Sequence, residues 1–209
     1  MRIAFLFYDD MTTLDAIGPW EVLARLPGAE AIAASRNGGA IRADTGLIFD
    51  KTAKFTDVPA ADVLVVPGTG NFAQLADPAA IDWARTLHAT TKWTTSVCTG
   101  AMILGAAGIL QGKRATTHWA AAAALAKHGA TYAPERVVIE GKVITAAGVS
   151  SGIDMALTLS ARLVDEQTAR ALQLGIEYDP QPPFDSGNAA NADDALKAKA
   201  LAVLAGGRR

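Results

Sequence analysis

The sequence predicts a doubly wound, mostly parallel α/β fold, and three observations carry that expectation. Short, continuously apolar runs rich in β-formers recur along the chain, longer segments with helix start signals separate them, and the apolar runs at 2–8 and 62–68 end in turn residues. Strands covered on both faces by helices read as unbroken apolar runs, whereas half-exposed strands alternate. With 209 residues, 50% of them hydrophobic and 19% charged, the chain can enclose one full core as a single domain.

The elements follow in order. "RIAFLFY" (2–8) is the first strand, and Pro19 suits the first turn of a helix over 19–26. "DVLVVPG" (62–68) is the next strand; Asp77 can then cap, and Pro78 can open, a helix over 78–91. "WTTSV" (93–97), dense in β-branched residues, is a third strand and leads into a helix over 99–109. Further helices are expected over 119–128, 151–163 and 166–177, with "VVIEGKVIT" (137–145) forming a small antiparallel hairpin about Gly141. The alternation builds a sandwich of helices around a sheet. The Pro-rich "DPQPPFDSG" (179–187) closes a domain over 1–187, and 188–209 reads as a helical or flexible tail.

Composition removes several function classes. Net charge is only −2, and no Lys/Arg cluster precedes the last residues, so no nucleic-acid partner is expected. No apolar run reaches membrane-spanning length, and the N-terminus turns acidic at Asp9-Asp10, so the expectation is a soluble cytoplasmic protein with no membrane partner. One cysteine allows neither an internal disulfide nor a thiolate zinc site, and no metal is expected.

That cysteine, Cys98, stands where the third strand turns into a helix, in "TTSVCTGAMILGAAGIL" (94–110). Most lone cysteines are buried filler. This one lies at the carboxyl end of a parallel strand, where open α/β sheets bind ligands, with Gly100 beside it to admit close backbone. The layout is that of a nucleophile elbow with sulfur in place of hydroxyl, and the helix N-terminus should draw the thiol toward thiolate. The first and second strand ends should open into the same crevice. Asp15, flanked by Leu14, Ala16 and Ile17, is the candidate acid, its pKa expected to rise in apolar surroundings; the competing reading is a helix N-cap. Asp9 and Asp10 read as solvated turn residues. Gly68, Thr69 and the N–H of Thr99 are candidate donors to developing negative charge. Cysteine hydrolases generally keep a histidine near sulfur, yet the residue after Cys98 is Thr99. His88 and His128 read as exposed helix residues, and His118, in "RATTHWA", follows a short strand and precedes a helix, which allows either a site role or a structural one.

"LDAIGPWEVL", "VPGTG", "SVCTGAMILGAAGILQGKRATTHW" and "AAGVSSGIDMALTL" together resemble the ThiJ/PfpI superfamily, with its class I glutamine amidotransferase-like fold, and within it the isocyanide hydratases. The similarity covers residues 2 to 187. It implies a flavodoxin-like sandwich, a homodimer, Cys98 as nucleophile with Asp15 and Thr99 beside it, and no metal or organic cofactor. The implied substrates are an isocyanide and water, and the product an N-substituted formamide. Relatives often carry a double glycine after the strand-end proline, where this chain has Gly68-Thr69-Gly70. The protease-like and amidotransferase-like branches place a histidine directly after the nucleophile or far downstream, and this chain does neither.

The chemistry suits these residues. Sulfur adding to the isocyanide carbon while a proton arrives gives a thioimidate on Cys98; water then attacks that carbon, and Asp15 can serve both proton transfers. The substituent on nitrogen calls for an apolar slot, for which Trp20, Phe72, Trp119 and Ile153 are candidates, although residues of these types more often serve as core or dimer contacts. Alternatives are a glyoxalase-like or deglycase-like enzyme acting on 2-oxoaldehydes, a ligand-sensing module like that of AraC-type regulators but without a helix-turn-helix region, and a redox sensor.

Overall fold

The computed structural model describes residues 1–206, so the last three positions of the expected tail lie outside the described residues. In chain order the elements are β1 (Arg2–Leu6), α1 (Thr13–Leu23), β2 (Glu30–Ser35), β3 (Gly39–Arg42), β4 (Ile48–Lys54), β5 (Val63–Val66), α2 (Pro78–Thr90), β6 (Trp93–Val97) and α3 (Gly100–Ala106). There follow β7 (Arg114–Ala115), β8 (Thr131–Tyr132), β9 (Val137–Glu140), β10 (Val143–Ala146), α4 (Ser151–Leu163), α5 (Glu166–Gly175) and α6 (Asp194–Gly206). An eight-stranded sheet runs in the order β3-β4-β2-β1-β5-β6-β10-β9. Its central strands are parallel, and antiparallel pairs β3/β4 and β9/β10 close the two edges. The doubly wound α/β fold is therefore as expected, including the hairpin about Gly141.

Burial explains the centre of the sheet. Ile3, Ala4, Phe5 and Leu6 of β1, and all four residues of β5, are fully buried, and each large aliphatic side chain among them contributes roughly 1.5–3 kcal/mol. β6 is different, because Thr94, Thr95 and Ser96 are buried polar residues. Thr95 Oγ1 donates to the Leu64 carbonyl at 3.0 Å, and Thr94 Oγ1 lies 2.8 Å from both Thr91 Oγ1 and His88 Nδ1. His88 is thus half-buried and hydrogen-bonded, not simply exposed. Asp77 caps α2 by accepting from the Ala79 N–H, with Pro78 in the first turn, as anticipated.

Several boundaries move. β2, β3 and β4 escaped the sequence reading: "EAIAAS" is rich in alanine, and "IFDKTAK" carries charge through its middle. The helix expected from residue 19 begins at Thr13, so Pro19 sits within it rather than opening it. Pro19 lacks the N–H that would bond the Asp15 carbonyl one turn back, and packing offsets that loss. A Cβ on Gly152 of α4 would lie 3.1 Å from the Pro19 ring and 3.1 Å from Val97, and one on Gly18 would lie 3.1 Å from Ile153. Small residues thus let α1 and α4 pack closely over the same strand ends. Residues 119–128 form a run of 3-10 turns instead of an α-helix, and α3 stops at Ala106. Residues 179–193 form no helix or strand, and no residue of α6 is buried.

The strand order reverses between β1 and β5: the chain leaves β1 to build one half of the sheet and returns at β5 to build the other. At such a switch point the loops diverge and leave a crevice. Gly100 closes its floor. A Cβ there would lie 2.2 Å from the Val66 carbonyl oxygen and 2.9 Å from the Pro67 carbonyl, both backbone. Gly100→Ala is expected to destabilise the fold by about 2 kcal/mol or more, read as a lowered denaturation midpoint; a wild-type midpoint would show that the elbow yields easily.

Candidate active site

Cys98 directly follows β6, and its backbone is left-handed, with φ of 58°. For a residue with a side chain this is an uncommon, strained conformation, held here from several sides. The Cys98 N–H is shared between the carbonyls of Ala146 and Ala147 at 3.1 and 2.8 Å, and the Cys98 carbonyl accepts from Thr117 Oγ1 at 2.8 Å. The elbow expected from sequence exists, and β10 and the 116–117 segment lock it. Nothing in "RATTHW" marks Thr117 out in the sequence, because its partner, the Cys98 carbonyl, lies 19 residues away.

The β5 loop meets the elbow face to face. Thr99 Oγ1 donates to the Thr69 carbonyl at 2.7 Å and accepts the Thr69 N–H at 2.8 Å. A Cβ on Gly68 would stand 2.5 Å from Thr99 N and from Thr99 Oγ1, so glycine is required by close approach. Gly68 N–H donates to Asp15 Oδ2 at 2.9 Å. The backbone donors of Gly68 and Thr69, read from sequence as free to stabilise negative charge, are therefore engaged, one by the acid and the other by Thr99.

Asp15 lies in the first turn of α1 and is completely buried. The residue in the N-cap position is Thr12, so Asp15 is not the cap. Its Oδ1 is buried without a fully formed hydrogen bond, and the Cys98 thiol is the neighbouring side chain that shares hydrogen-bonding with the carboxyl. Burial pushes the Asp15 pKa up to about 8, outweighing the Gly68 N–H and the thiol, which favour the anion; Asp44 adds repulsion. Burial also pushes the thiol well above its ordinary range, Asp15 reinforces that, and the Thr99 N–H opposes it. The helix N-terminus was expected to win at Cys98, but desolvation and a neighbouring acid dominate. The resting site is a neutral thiol beside a carboxylic acid. Tyr8, which the sequence did not single out, completes the cluster: it is buried, its hydroxyl donates to the Pro67 carbonyl at 2.7 Å, and burial followed by Asp15, Cys98 and Asp44 raises its pKa.

Other residues fall at varying distances from this centre. Asp9 is an exposed turn residue as expected, its carboxylate accepting the Arg42 N–H, whereas Asp10, at φ 64°, is half-buried and accepts from Asn71 Nδ2 through its side chain and from Thr69 Oγ1 through its carbonyl. His118 follows Thr117, accepts the Ala120 N–H on Nδ1 at 3.3 Å and covers Gly148; burial lowers its pKa. Trp119 packs its ring 5.3 Å from His118. Ile153 rests on Gly18 of α1, and Phe72 is exposed on the loop beyond Thr69. Trp20 lies elsewhere. It packs against Phe5 and Phe7 and, with Phe49, Ile17 and Ala33, lines a groove of about 270 Å³ that contains neither Cys98 nor Asp15.

A buried acid that holds its proton destabilises the fold at neutral pH. With the ordinary value at 3.8 and the folded value about 8, the unfolded chain releases a proton between those limits that the folded chain keeps. Stability therefore falls as pH rises through that window, by up to ~1.4 kcal/mol per unit. Asp15→Asn has no such slope. Its denaturation midpoint is expected to gain on wild type from pH 4 to pH 8, reaching on the order of 2–4 kcal/mol by pH 7; a difference independent of pH would show that the carboxyl is not held protonated.

Comparisons with known proteins identify the family. The DJ-1/PfpI family matches residues 1–162. An isonitrile hydratase from Pseudomonas putida is 43% identical over 197 residues, which is 94% of this chain and 86% of that protein. A deglycase from Pyrococcus abyssi is 26% identical over 69% of this chain and 89% of its own length. The crystal structure of a ThiJ/PfpI family protein from Pseudomonas syringae, 37% identical, superimposes with a TM-score of 0.92 over 98% of this chain and 86% of that one. With the family match spanning most of the chain and the elbow, acid and glycine loop in place, the chain belongs to the DJ-1/PfpI family.

Proposed function

We propose that this chain hydrates isocyanides to N-substituted formamides, as the name of its Pseudomonas putida relative suggests. The observation that carries the reading is a proton-bearing carboxyl, Asp15, buried against the only thiol of the chain. The reaction requires that pairing. As Cys98 sulfur forms a bond to the isocyanide carbon, the thiol proton passes through Asp15 to the same carbon, giving a thioimidate with one new C–S and one new C–H bond. Water then adds to that carbon, with Asp15 accepting its proton and the nitrogen gaining one. Collapse breaks the C–S bond, returns the proton to sulfur and releases the formamide. One carboxyl carries every proton, and no metal or organic cofactor takes part.

Thr99 supports the nucleophile in two ways: its N–H favours the sulfur anion, and its hydroxyl holds the Gly68-Thr69 turn against the elbow. Phe72, Trp119 and Ile153, with His118, are the side chains we assign to the substituent on nitrogen. Trp20, in its separate groove, supports α1 from behind. The deglycase relative keeps 2-oxoaldehydes as a second substrate class to assay. A thiol held neutral is slow to meet peroxide, since the thiolate is the oxidisable form, and this weighs against a redox sensor. A cytoplasmic setting suits a mechanism that needs its thiol reduced; no described helix is long and apolar enough to cross a membrane. α1 leaves Leu14 and Ile17 more than a third exposed, which supports a homodimer built on that helix. Light scattering is expected to give twice the 21.6 kDa chain mass; a monomer mass at all concentrations would reject the dimer.

Cys98→Ser is expected to fold and to lose isocyanide turnover, because serine at neutral pH is a far poorer nucleophile. Asp15→Asn keeps the shape but cannot relay a proton. It is expected to remain alkylable by iodoacetamide at Cys98 while losing at least ~10²-fold in turnover. Formamide release, followed beside methylglyoxal consumption, decides the matter: near wild-type formamide release by either folded variant would refute the mechanism, and methylglyoxal consumption without formamide would replace the function.

A further inference from the structure

The loop joining β3 to β4 brings a second carboxylate to the site. The Asp44 N–H donates to the Met11 carbonyl at 3.1 Å, and Asp44 Oδ2 accepts from Thr12 Oγ1 at 3.0 Å. Asp44 Oδ1 is buried and has no hydrogen-bond partner. None of the ion pairs among the described residues involves Asp44. Thr12, which would ordinarily turn its hydroxyl inward to cap α1, makes no such cap and holds Asp44 instead. Its N–H donates to the Gly68 carbonyl at 2.8 Å, and the Gly68 N–H holds Asp15. Asp44, Thr12, Gly68 and Asp15 therefore form one connected run across three loops. If this loop needed only to be closed, an amide would serve, since it too can accept from the threonine hydroxyl. On this half-buried residue, a carboxylate oxygen that is enclosed and unpaired is a costly choice.

We propose that Asp44 is a positioning residue of the reaction, a fixed negative charge anchored by Thr12 that keeps the catalytic proton on Asp15 until substrate arrives. The proposal rests on Asp15 being the proton carrier of the hydratase reading. Burial is the largest influence holding that proton, and Asp44 acts in the same direction, against the Gly68 N–H and the thiol. The groups packed around Asp15 leave no other charge to do this. Tyr8 comes from the end of β1 and Cys98 from the elbow. From α4, Gly152 and Ile153 face α1, while Asp154 is tied to Arg136 and Tyr178. Asp10 is engaged by Asn71, and Glu21 on α1 is paired with Arg25. In electrostatic terms, the nearby negative charge disfavours a second one on Asp15.

The test needs no substrate. A protonated carboxylic acid has a C=O infrared band distinct from the carboxylate, and the band lost in Asp15→Asn belongs to Asp15. Its titration is compared in wild type, Asp44→Asn and Thr12→Val. Asparagine keeps an acceptor for the Thr12 hydroxyl and removes only the charge. The midpoint, about 8 in wild type, is expected to move to lower pH by ~0.5 unit or more in Asp44→Asn. Thr12→Val, which leaves the charge but releases it toward solvent, should move it the same way by less. The falling limb of kcat/KM for an isocyanide should shift with it, because the proposed reaction starts from protonated Asp15 and that form is lost as pH rises through the midpoint. An unchanged midpoint in folded Asp44→Asn overturns the proposal; should that variant fail to fold, an unchanged midpoint in Thr12→Val does so. A shifted midpoint in a protein that turns over no isocyanide upholds the role of Asp44 and removes the hydratase reading instead.

Discussion

The site depends on one steric constraint: the β5 loop and the β6 elbow occupy nearly the same space. Gly68 and Gly100 lack the Cβ atoms that would collide with Thr99, Val66 and Pro67. That closeness lets Thr99 bond both the N–H and the carbonyl of Thr69. It also turns the Gly68 N–H toward Asp15. Had either glycine carried a side chain, the loop would stand off, the acid would lose its one backbone donor, and the thiol would no longer share an enclosed space with it. The left-handed backbone at Cys98 belongs to the same constraint, since the chain must turn sharply there to bring a helix up against β5.

Enclosure then determines the electrostatics. Water that would solvate two anions is shut out, so the carboxyl and the thiol both keep their protons. An exposed cysteine activated by a helix end would be a permanently charged nucleophile, whereas this thiol is held neutral, and in the proposed reaction its sulfur gains charge only as the proton moves. Such a site has low intrinsic reactivity toward stray electrophiles and requires a substrate that takes up a proton as it is attacked. An isocyanide does so at a single atom, since its carbon receives both the sulfur and the hydrogen.

Much of this arrangement was legible in the sequence, and the rest was hidden for physical reasons. Unbroken apolar runs disclosed β1 and β5, and the single cysteine ahead of glycine disclosed the elbow. Asp15 stood out because its neighbours are apolar. By contrast, β2 and β4 lie toward one edge and carry alanine and charge, so periodicity offered little. The direction of the thiol's ionisation is not legible, because a helix end is visible in sequence while burial and the proximity of Asp15 are not. Tyr8, Thr12, Asp44 and Thr117 are ordinary residues of their local segments; only the folding of distant loops onto one another gives them partners. Trp20 has the apolar bulk of a pocket residue, yet it lies against Phe5 and Phe7 in a groove that contains neither Cys98 nor Asp15.

The way β10 secures the elbow bears on how the protein is made. The Cys98 N–H is anchored by Ala146 and Ala147, which leave the ribosome well after the cysteine itself. Asp15, by then long synthesised, is joined to the site through Gly68, 53 residues away. Contacts so far apart in the chain form late and together. During synthesis the cysteine is therefore an ordinary thiol in an incomplete sheet, without the buried acid that later holds it neutral. The nascent chain carries a more accessible thiol until its last sheet strand docks, and folding itself is what closes that thiol to stray electrophiles.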